Sequence, residues 1–252
     1  MILAEMWEAT AVLNGRTVLR EADACIQAGE VVAVCGPNGS GKTSLLRAML
    51  GLLPIGGPGA IARLGGDDVA ALNPRQRAER AAYLPQDRGL AWNMPAVEVA
   101  ALGAPFLAPA QAVDRARVVL DDLGVGGLAD RGVAEMSGGE RARVLLARAL
   151  VAPGRALLVD EPVAGLDPDA QLLVMDRLRQ EAQAGRGVMV SLHDLTLAAR
   201  YADRVLLMLD GDVLFDGPPM EALSPWHLDR AFGLTAEWVQ GPDGPLLSAR
   251  RN

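Results

Sequence analysis

Short, mainly apolar runs that end at polar residues dominate the hydrophobic pattern of this chain. Residues 31–35 form one such run, residues 155–160 form a second that closes on a carboxylate, and residues 187–192 form a third that leads into His193. Apolar runs of this length without alternation are typical of strands buried on both faces. The pattern therefore predicts buried strands whose polar ends gather at one edge of an open α/β sheet.

Helical spacing follows the first of these strands. Residues 43–50 repeat apolar positions at helical intervals, and Gly51 and Pro54 end that segment before a further short strand at 60–64. The segment 88–149 is also helical in pattern, with breaks at prolines and at a glycine cluster. We predict a single domain over residues 1–252, in which 1–87 and 150–252 form the core and 88–149 form an inserted helical subdomain.

Between the first strand and its helix lies a glycine-rich loop. Residues 36–43 read Gly-Pro-Asn-Gly-Ser-Gly-Lys-Thr, which fits the phosphate-loop pattern. Backbone amides in such a loop point at a β-phosphate, the lysine bridges the β- and γ-phosphates, and the threonine hydroxyl holds Mg²⁺. A structural turn is the alternative, and the strand-loop-helix context favours nucleotide. The predicted contacts are Gly36, Asn38, Gly39, Ser40, Gly41, Lys42, Thr43 and Ser44.

A pair of carboxylates closes the second apolar strand. Asp160 can reach a Mg²⁺ held by Thr43, and Glu161 is free to face the γ-phosphate and accept a proton from an attacking water. An acidic pair after a strand is often only a turn or a helix cap. Its combination with a phosphate loop favours the catalytic interpretation, with Asp160 as metal ligand and Glu161 as general base.

Lysine is almost absent from the chain. Of 24 basic residues, only Lys42 is a lysine, and it lies inside the phosphate loop. A compact ammonium on a flexible stem enters a tight ring of backbone amides, whereas a planar guanidinium is too wide. The composition thus singles out the same position as the motif.

Composition also limits the class of protein. The net charge is −7 and the arginines are scattered along the chain without forming a basic stripe, which argues against a nucleic-acid partner. No stretch approaches the length of a membrane span, and the N-terminus lacks the pattern of a signal peptide. Cys25 and Cys35 match no metal-ligand spacing and are predicted to be core residues. These features predict a cytoplasmic protein.

Further motifs carry a resemblance to a known family. Residues 136–140 read Met-Ser-Gly-Gly-Glu before a helical segment, which alone would be a helix cap or an anion site. Together with residues 83–86, 157–162, 165–167 and 191–194, and in this order and spacing, they resemble the signature loop, Q-loop, second nucleotide motif, D-loop and switch histidine of the ATP-binding subunit of ABC transporters.

The resemblance covers nearly the whole chain and implies its fold and chemistry. The implied fold is α/β: a P-loop NTPase core with a mostly parallel sheet, an antiparallel β subdomain and an inserted helical subdomain. ATP and Mg²⁺ are the implied cofactors. Gln86 would sense the metal and the γ-phosphate, and His193 would contact the γ-phosphate and orient the water. His227 matches no motif and is predicted to be structural.

The same resemblance implies partners. Two subunits of this family pack head to tail, so that Ser137, Gly138, Gly139 and Asp167 of one chain would close over ATP bound to Lys42 of the other. Integral membrane transport subunits and a substrate-binding protein are the other implied partners. The implied location is peripheral, at the cytoplasmic face of the inner membrane.

Several positions depart from the family pattern. Spacing places Leu13 where the family usually stacks an aromatic residue on adenine, which removes π-stacking. Glu140 replaces a commoner glutamine, Met136 a leucine and Val163 a threonine. None of these departures removes a reactive group.

Two segments indicate a subgroup. Residues 192–204 and 223–234 are similar to ATPases that drive import of iron-siderophore, haem and vitamin B12 complexes, although residues 104–106 differ from that subgroup. Other ABC importers or exporters are the alternative. Soluble ABC-type ATPases that act on DNA need long coiled coils between the phosphate loop and the signature loop, whereas Ser137 of this chain lies only 95 residues after Lys42. Those that act on ribosomes carry two ATPase units. A nucleotide binder without hydrolysis would not need both Glu161 and His193.

Overall fold

The structure is a computed structural model that describes residues 1–87, 89, 93–242 and 244–252. Its strands are β1 (Ile2–Leu13), β2 (Arg16–Gln27), β3 (Val31–Cys35), β4 (Ile61–Leu64), β5 (Asp67–Asp68), β6 (Ala81–Leu84), β7 (Ala156–Asp160), β8 (Gly187–Ser191), β9 (Arg204–Leu209), β10 (Asp212–Gly217), β11 (Leu234–Gly241) and β12 (Gly244–Arg251). Its helices are α1 (Lys42–Met49), α2 (Pro74–Arg80), α3 (Ala96–Ala101), α4 (Pro109–Asp122), α5 (Gly138–Val151), α6 (Pro168–Gln183), α7 (Leu195–Tyr201), α8 (Pro219–Ala222) and α9 (Pro225–Phe232).

A six-stranded sheet forms the centre of the fold. Its order is β10-β9-β3-β8-β7-β6, with parallel pairing from β9 to β6 and an antiparallel edge strand, β10. Every residue of β3, β7 and β8 is buried, so the three buried strands predicted from their apolar runs are confirmed. Because parallel strands end on the same side, their polar ends meet at one edge of the sheet.

The sheet is covered on both faces, and β3 shows why its sequence lacks alternation. Val32 and Val34 belong to the core cluster that contains Leu45 and Leu46 of α1. Val31, Ala33 and Cys35 belong to the cluster formed with the helices on the opposite face. Side chains of a strand alternate between faces, so a strand covered on both sides must be apolar throughout.

A four-stranded antiparallel sheet of order β2-β1-β4-β5 confirms the predicted antiparallel β subdomain. Its inner face supplies Met6, Leu19, Ile26 and Leu64 to the cluster that surrounds α1. β1 and β2 pair with several register shifts, where bulges interrupt the two-residue period.

Three helices occupy most of the segment predicted to be helical. α3, α4 and α5 pack through small and aliphatic side chains, among them Ala100, Ala116, Leu120 and Leu146. α5 continues to Val151, two residues past the predicted limit at 149. The other limit falls at Arg88, which lies outside the described residues, and the division into core and subdomain stays a prediction.

The C-terminal part ends in the hairpin β11-β12, which contacts α9 and α7. Within the described ranges, no helix combines the length and apolar character that crossing a bilayer requires. Cys35 is buried, and its burial raises the pKa of the thiol to about 12. Cys25 is only half-buried, so the prediction of two core cysteines holds fully for Cys35 alone.

Candidate nucleotide-binding site

The phosphate loop connects β3 to α1, and its lysine folds back onto the loop. Lys42 Nζ donates to the carbonyl oxygens of Gly36 at 2.8 Å and Pro37 at 3.0 Å. Gly36 has φ +149°, and a Cβ there would lie 2.3 Å from the backbone oxygen of Met208. Only glycine fits this position, because the loop passes close to β9.

α1 begins without a side-chain cap. Its N-cap is Gly41, in the left-handed region at φ +106°, and no acidic residue stands in the first turn. A Cβ on Gly41 would lie 2.6 Å from the backbone oxygen of Val18, so β2 crosses directly over the loop. The amides of an uncapped helix start bind anions such as phosphate.

Lys42 is 6% exposed, and this burial is the main influence on its charge. Desolvation lowers the pKa of the ammonium, while the nearby Glu161, the Cys35 thiol and Asp160 oppose that shift in decreasing order. A buried cation facing carboxylates is an arrangement in which a polyanion would replace the missing solvation.

Three neighbouring strands deliver the predicted catalytic side chains. Glu161 follows β7, His193 follows β8 and Gln86 follows β6, and these strands are adjacent in the sheet. The His193 Nε2 atom lies 2.6 Å from Glu161 Oε1, and Gln86 Nε2 donates to Glu161 Oε2 at 3.0 Å. The structure thus brings Glu161 together with Gln86 and His193, the two residues that the family resemblance assigns to the γ-phosphate.

A cavity of about 530 Å³ lies against these groups. Its lining residues are Val18, Asn38, Gly39, Gly41, Lys42, Thr43, Ser44, Gln86, Glu161 and His193. Nine of them were predicted as site residues, and Val18 was not. Leu13, to which spacing assigned the adenine contact, is 44% exposed at the end of β1 and does not line the cavity, whereas Val18 of β2 does.

Comparison with known proteins identifies this arrangement. Residues 19–164 match the family model described as ABC transporter, which is more than half of the chain. The chain belongs to the ABC transporter family. It is 38% identical over 249 residues to the hemin import ATP-binding protein HmuV of Bordetella bronchiseptica, covering 94% of each chain.

Two further proteins are similar to this ABC family member. The cobalamin import ATP-binding protein BtuD of Halobacterium salinarum is 39% identical over 226 residues, which is 87% of this chain and 56% of that protein. A solved structure of the ATP binding subunit of an ABC transporter has a TM-score of 0.78 at 25% identity, covering 92% of this chain and 93% of the other.

The ABC signature segment lies apart from the cavity of its own chain. Ser137 caps α5: its Oγ accepts from the amide of Glu140 at 3.2 Å, and its own amide donates to Glu140 Oε2 at 2.8 Å. Asp167 caps α6 by accepting from the amide of Ala170 at 2.9 Å. Among the described residues, the cavity lining contains none of Ser137, Gly138, Gly139 and Asp167.

Three other predicted site residues, Gly36, Ser40 and Asp160, are not among the described residues that line the cavity. The Ser40 side chain is buried inside the loop, and Gly36 serves through its carbonyl oxygen. Asp160 is fully buried at the end of β7. His227 bonds locally to Ser224 and the backbone oxygen of Glu221, as expected for a structural histidine.

Asp160 provides a direct test of whether a metal fits. Its Oδ1 accepts from Ser191 Oγ at 2.6 Å, while its buried Oδ2 has no hydrogen-bond partner among the described residues. No cluster of three potential metal-ligating side chains occurs within that part of the chain. The unpartnered Oδ2 in this part of the chain fits Mg²⁺, which binds through one or two protein groups and completes its shell with phosphate and water.

Proposed function

We propose that this chain is the ATP-hydrolysing subunit of a membrane ABC importer for haem, another iron complex or cobalamin. The cavity carries the proposal, because one space faces the loop lysine, the base candidate Glu161 and the two groups that hold Glu161. The names of the hemin and cobalamin import relatives support the class of cargo.

Phosphate binding falls to the loop and to the start of α1. Asn38, Gly39, Gly41, Thr43 and Ser44 line the cavity with backbone and hydroxyl donors, and Gly36 and Ser40 shape the loop. Lys42 exchanges its bonds to backbone carbonyl oxygens for bonds to phosphate oxygens. The exchange is favourable because a charged acceptor binds an ammonium more strongly than a neutral carbonyl does.

Thr43, Gln86 and Asp160 would hold Mg²⁺. Asp160 Oδ2, which is unpaired among the residues that the structure describes, supports this assignment. A bound Mg²⁺ neutralises developing charge on the transferred phosphoryl group and orients it. Glu161 accepts the proton of the attacking water, and His193 positions that water at the γ-phosphate. In the structure, Glu161 Oε1 contacts His193 and Glu161 Oε2 contacts Gln86. Water gains access to the carboxylate as one of these two contacts loosens.

A second copy of the chain completes the site in this proposal. Ser137, Gly138, Gly139 and Asp167 lie away from their own cavity, which supports a contribution across a head-to-tail dimer. The proposed location is peripheral, at the cytoplasmic face of the inner membrane, bound to separate transmembrane subunits that receive cargo from a substrate-binding protein. Residues 88–149 act as the helical subdomain between the core (1–87 and 150–252) and those subunits. Nucleic acid is not a partner.

Glu161→Gln tests the catalytic assignment. The variant keeps the hydrogen-bonding shape but cannot take a proton, so turnover falls by about a hundredfold or more while Mg·ATP binding and dimerisation persist. Steady-state phosphate release and equilibrium ATP binding measure the two effects. Glu79→Gln, on an exposed carboxylate paired with Arg75, is the matched control. Hydrolysis at the wild-type rate in Glu161→Gln would remove the base from the proposal.

Cargo and partners need a separate experiment. The chain is expected to co-purify with integral membrane subunits, and the reconstituted complex is expected to accumulate labelled haem, iron chelate or cobalamin in vesicles in an ATP-dependent manner. Co-purification with ribosomes or nucleic acid alone would contradict the transport function. The labelled compound that accumulates identifies the cargo.

A further inference from the structure

A buried serine joins the two carboxylate residues of the site. Ser191 ends β8, is 0% exposed and lies directly opposite Asp160 of β7 in the parallel register. Its Oγ donates to Asp160 Oδ1 at 2.6 Å and accepts from the backbone amide of Glu161 at 2.8 Å. One hydroxyl therefore contacts both the proposed metal ligand and the residue that carries the proposed base.

We propose that Ser191 is a positioning residue that fixes Asp160 for metal binding and Glu161 for proton transfer. The proposal rests on the function proposed above. It adds that the effect of Mg²⁺ on nucleotide binding depends on Ser191 of β8. A hydroxyl is suited to this position because it donates one hydrogen bond and accepts another at the same time.

The hydrogen bond from Ser191 gives the two carboxylate oxygens of Asp160 different roles. Ser191 occupies Oδ1, while Oδ2 is buried and has no partner in the part of the chain that the structure describes. Rotation of the carboxylate would break this hydrogen bond, so the bond favours the orientation in which Oδ2 is available to a metal. Partners that orient a metal-binding carboxylate in this manner tune the affinity of the site.

The effect on Glu161 acts through the backbone. Glu161 has φ +50°, in the left-handed region that is unfavourable for a residue with a side chain. The bond from its amide to Ser191 Oγ holds this conformation, and the side chain then reaches Gln86 and His193. Such strained conformations persist at functional sites only where surrounding contacts impose them.

Removing the Ser191 hydroxyl should therefore reduce the gain in nucleotide affinity that Mg²⁺ provides, without changing nucleotide affinity in the absence of metal. In Ser191→Ala, affinity for the non-hydrolysable analogue AMP-PNP is measured with Mg²⁺ and with EDTA, at a protein concentration that keeps the chain monomeric. The gain in affinity that Mg²⁺ gives to the wild type should shrink by about tenfold to a hundredfold, because loss of an outer partner weakens metal binding by that factor. Affinity in EDTA should stay close to that of the wild type, because the Ser191 hydroxyl contacts Asp160 and the Glu161 amide rather than the phosphate loop.

Two variants separate positioning from simple structural support. Ser191→Thr keeps the hydroxyl and should retain most of the Mg²⁺ gain. Val190→Ala removes buried volume from the neighbouring position of β8, so it should lower thermal stability and leave the Mg²⁺ gain unchanged. An unchanged gain in Ser191→Ala, or an equal loss in Val190→Ala, overturns the role of Ser191.

Failure of the underlying function has a different signature. If the wild type itself gains no affinity from Mg²⁺, or if Asp160→Asn keeps the gain, the proposed metal site is wrong and Ser191 has nothing to position. If the wild type gains affinity, Asp160→Asn loses it and Ser191→Ala retains it, only the inference about Ser191 fails. Loss in Asp160→Asn and in Ser191→Ala, with retention in Ser191→Thr, supports both.

Discussion

Two helices of this protein begin after glycine-containing loops, and their starts differ in how backbone amides are satisfied. α1 starts at Gly41, with no side-chain cap and no acidic residue in its first turn. α5 starts at Ser137, which forms a capping box with Glu140. Both helix starts lie next to glycines, but the start of α1 carries no carboxylate whereas the start of α5 carries Glu140.

The difference shows which half of the proposed site binds phosphate by itself. The start of α1 has amides without side-chain acceptors and a buried ammonium beside it, so it favours an anion. The start of α5 already holds the Glu140 carboxylate, whose pKa is lowered by the hydrogen bond from the Ser137 amide. α1 is therefore suited to capture nucleotide, and α5 is suited to complete a site that another chain has filled.

Lys42→Arg is the strongest test of the α1 half. The charge is kept, but the guanidinium does not fit the loop in which the ammonium reaches the oxygens of Gly36 and Pro37. ATP affinity should fall by about a hundredfold or more, since arginine does not substitute for lysine at a confined site. Equilibrium ATP binding measures the loss, with Arg75→Lys on the exposed surface as control. Affinity within a few-fold of wild type would contradict the geometric reason for a single lysine.

Paired glycine substitutions compare the two helix starts directly. Gly41→Ala places a Cβ 2.6 Å from the Val18 oxygen at φ +106°, so we expect a loss of about 1–3 kcal/mol in the free energy of unfolding and weaker ATP binding. Gly138→Ala meets no atom within 4 Å and should change stability by less than about 0.5 kcal/mol. Urea unfolding measures both. Equal losses would mean that the two starts do not differ as described.

Ser137→Ala should remove the cap of α5. The free energy of unfolding should fall by about 1 kcal/mol, the usual effect of losing an N-cap serine. ATP affinity of the monomeric chain should not change, because Ser137 does not line its own cavity. Denaturant unfolding and ATP binding at low protein concentration test the two statements. Weaker ATP binding by the monomer would place Ser137 in the nucleotide site of its own chain.

Glu140→Gln is expected to have the smallest effect on the free energy of unfolding, and this effect should depend on pH. The hydrogen bond from Ser137 lowers the pKa of Glu140 from its ordinary 4.5, so the wild type has extra stability above that value and loses it as pH falls through the lowered pKa. The stability difference between wild type and Glu140→Gln should follow this pattern in denaturant unfolding across mildly acidic pH. A constant difference would show that the charge of Glu140 does not stabilise the α5 start.

Sequence patterns located the site because its strands are buried on both faces. β3, β7 and β8 are apolar at every interior position, and the residues that end them could be placed together from parallel pairing alone. Ser191 could have been found by the same rule, since it is the polar residue that closes β8 opposite Asp160.

Other features are not encoded in a local pattern. β1 and β2 pair with register shifts, so their buried positions never alternate for long. Val18 reaches the cavity because β2 crosses the phosphate loop, a contact between distant parts of the chain. Spacing alone placed Leu13 at that position, although the strand carrying Leu13 ends in an exposed turn. Such contacts depend on how two sheets pack, which local periodicity does not specify.

The position of Glu161 between two strand ends makes its carboxylate sensitive to mechanical displacement. One oxygen meets a side chain that follows β8, and the other meets a side chain that follows the edge strand β6. A shift of about 1 Å in either strand end takes one contact beyond hydrogen-bonding range. A force applied at the edge of the sheet would thus change which hydrogen bonds the Glu161 carboxylate makes, and with them its ability to accept a proton.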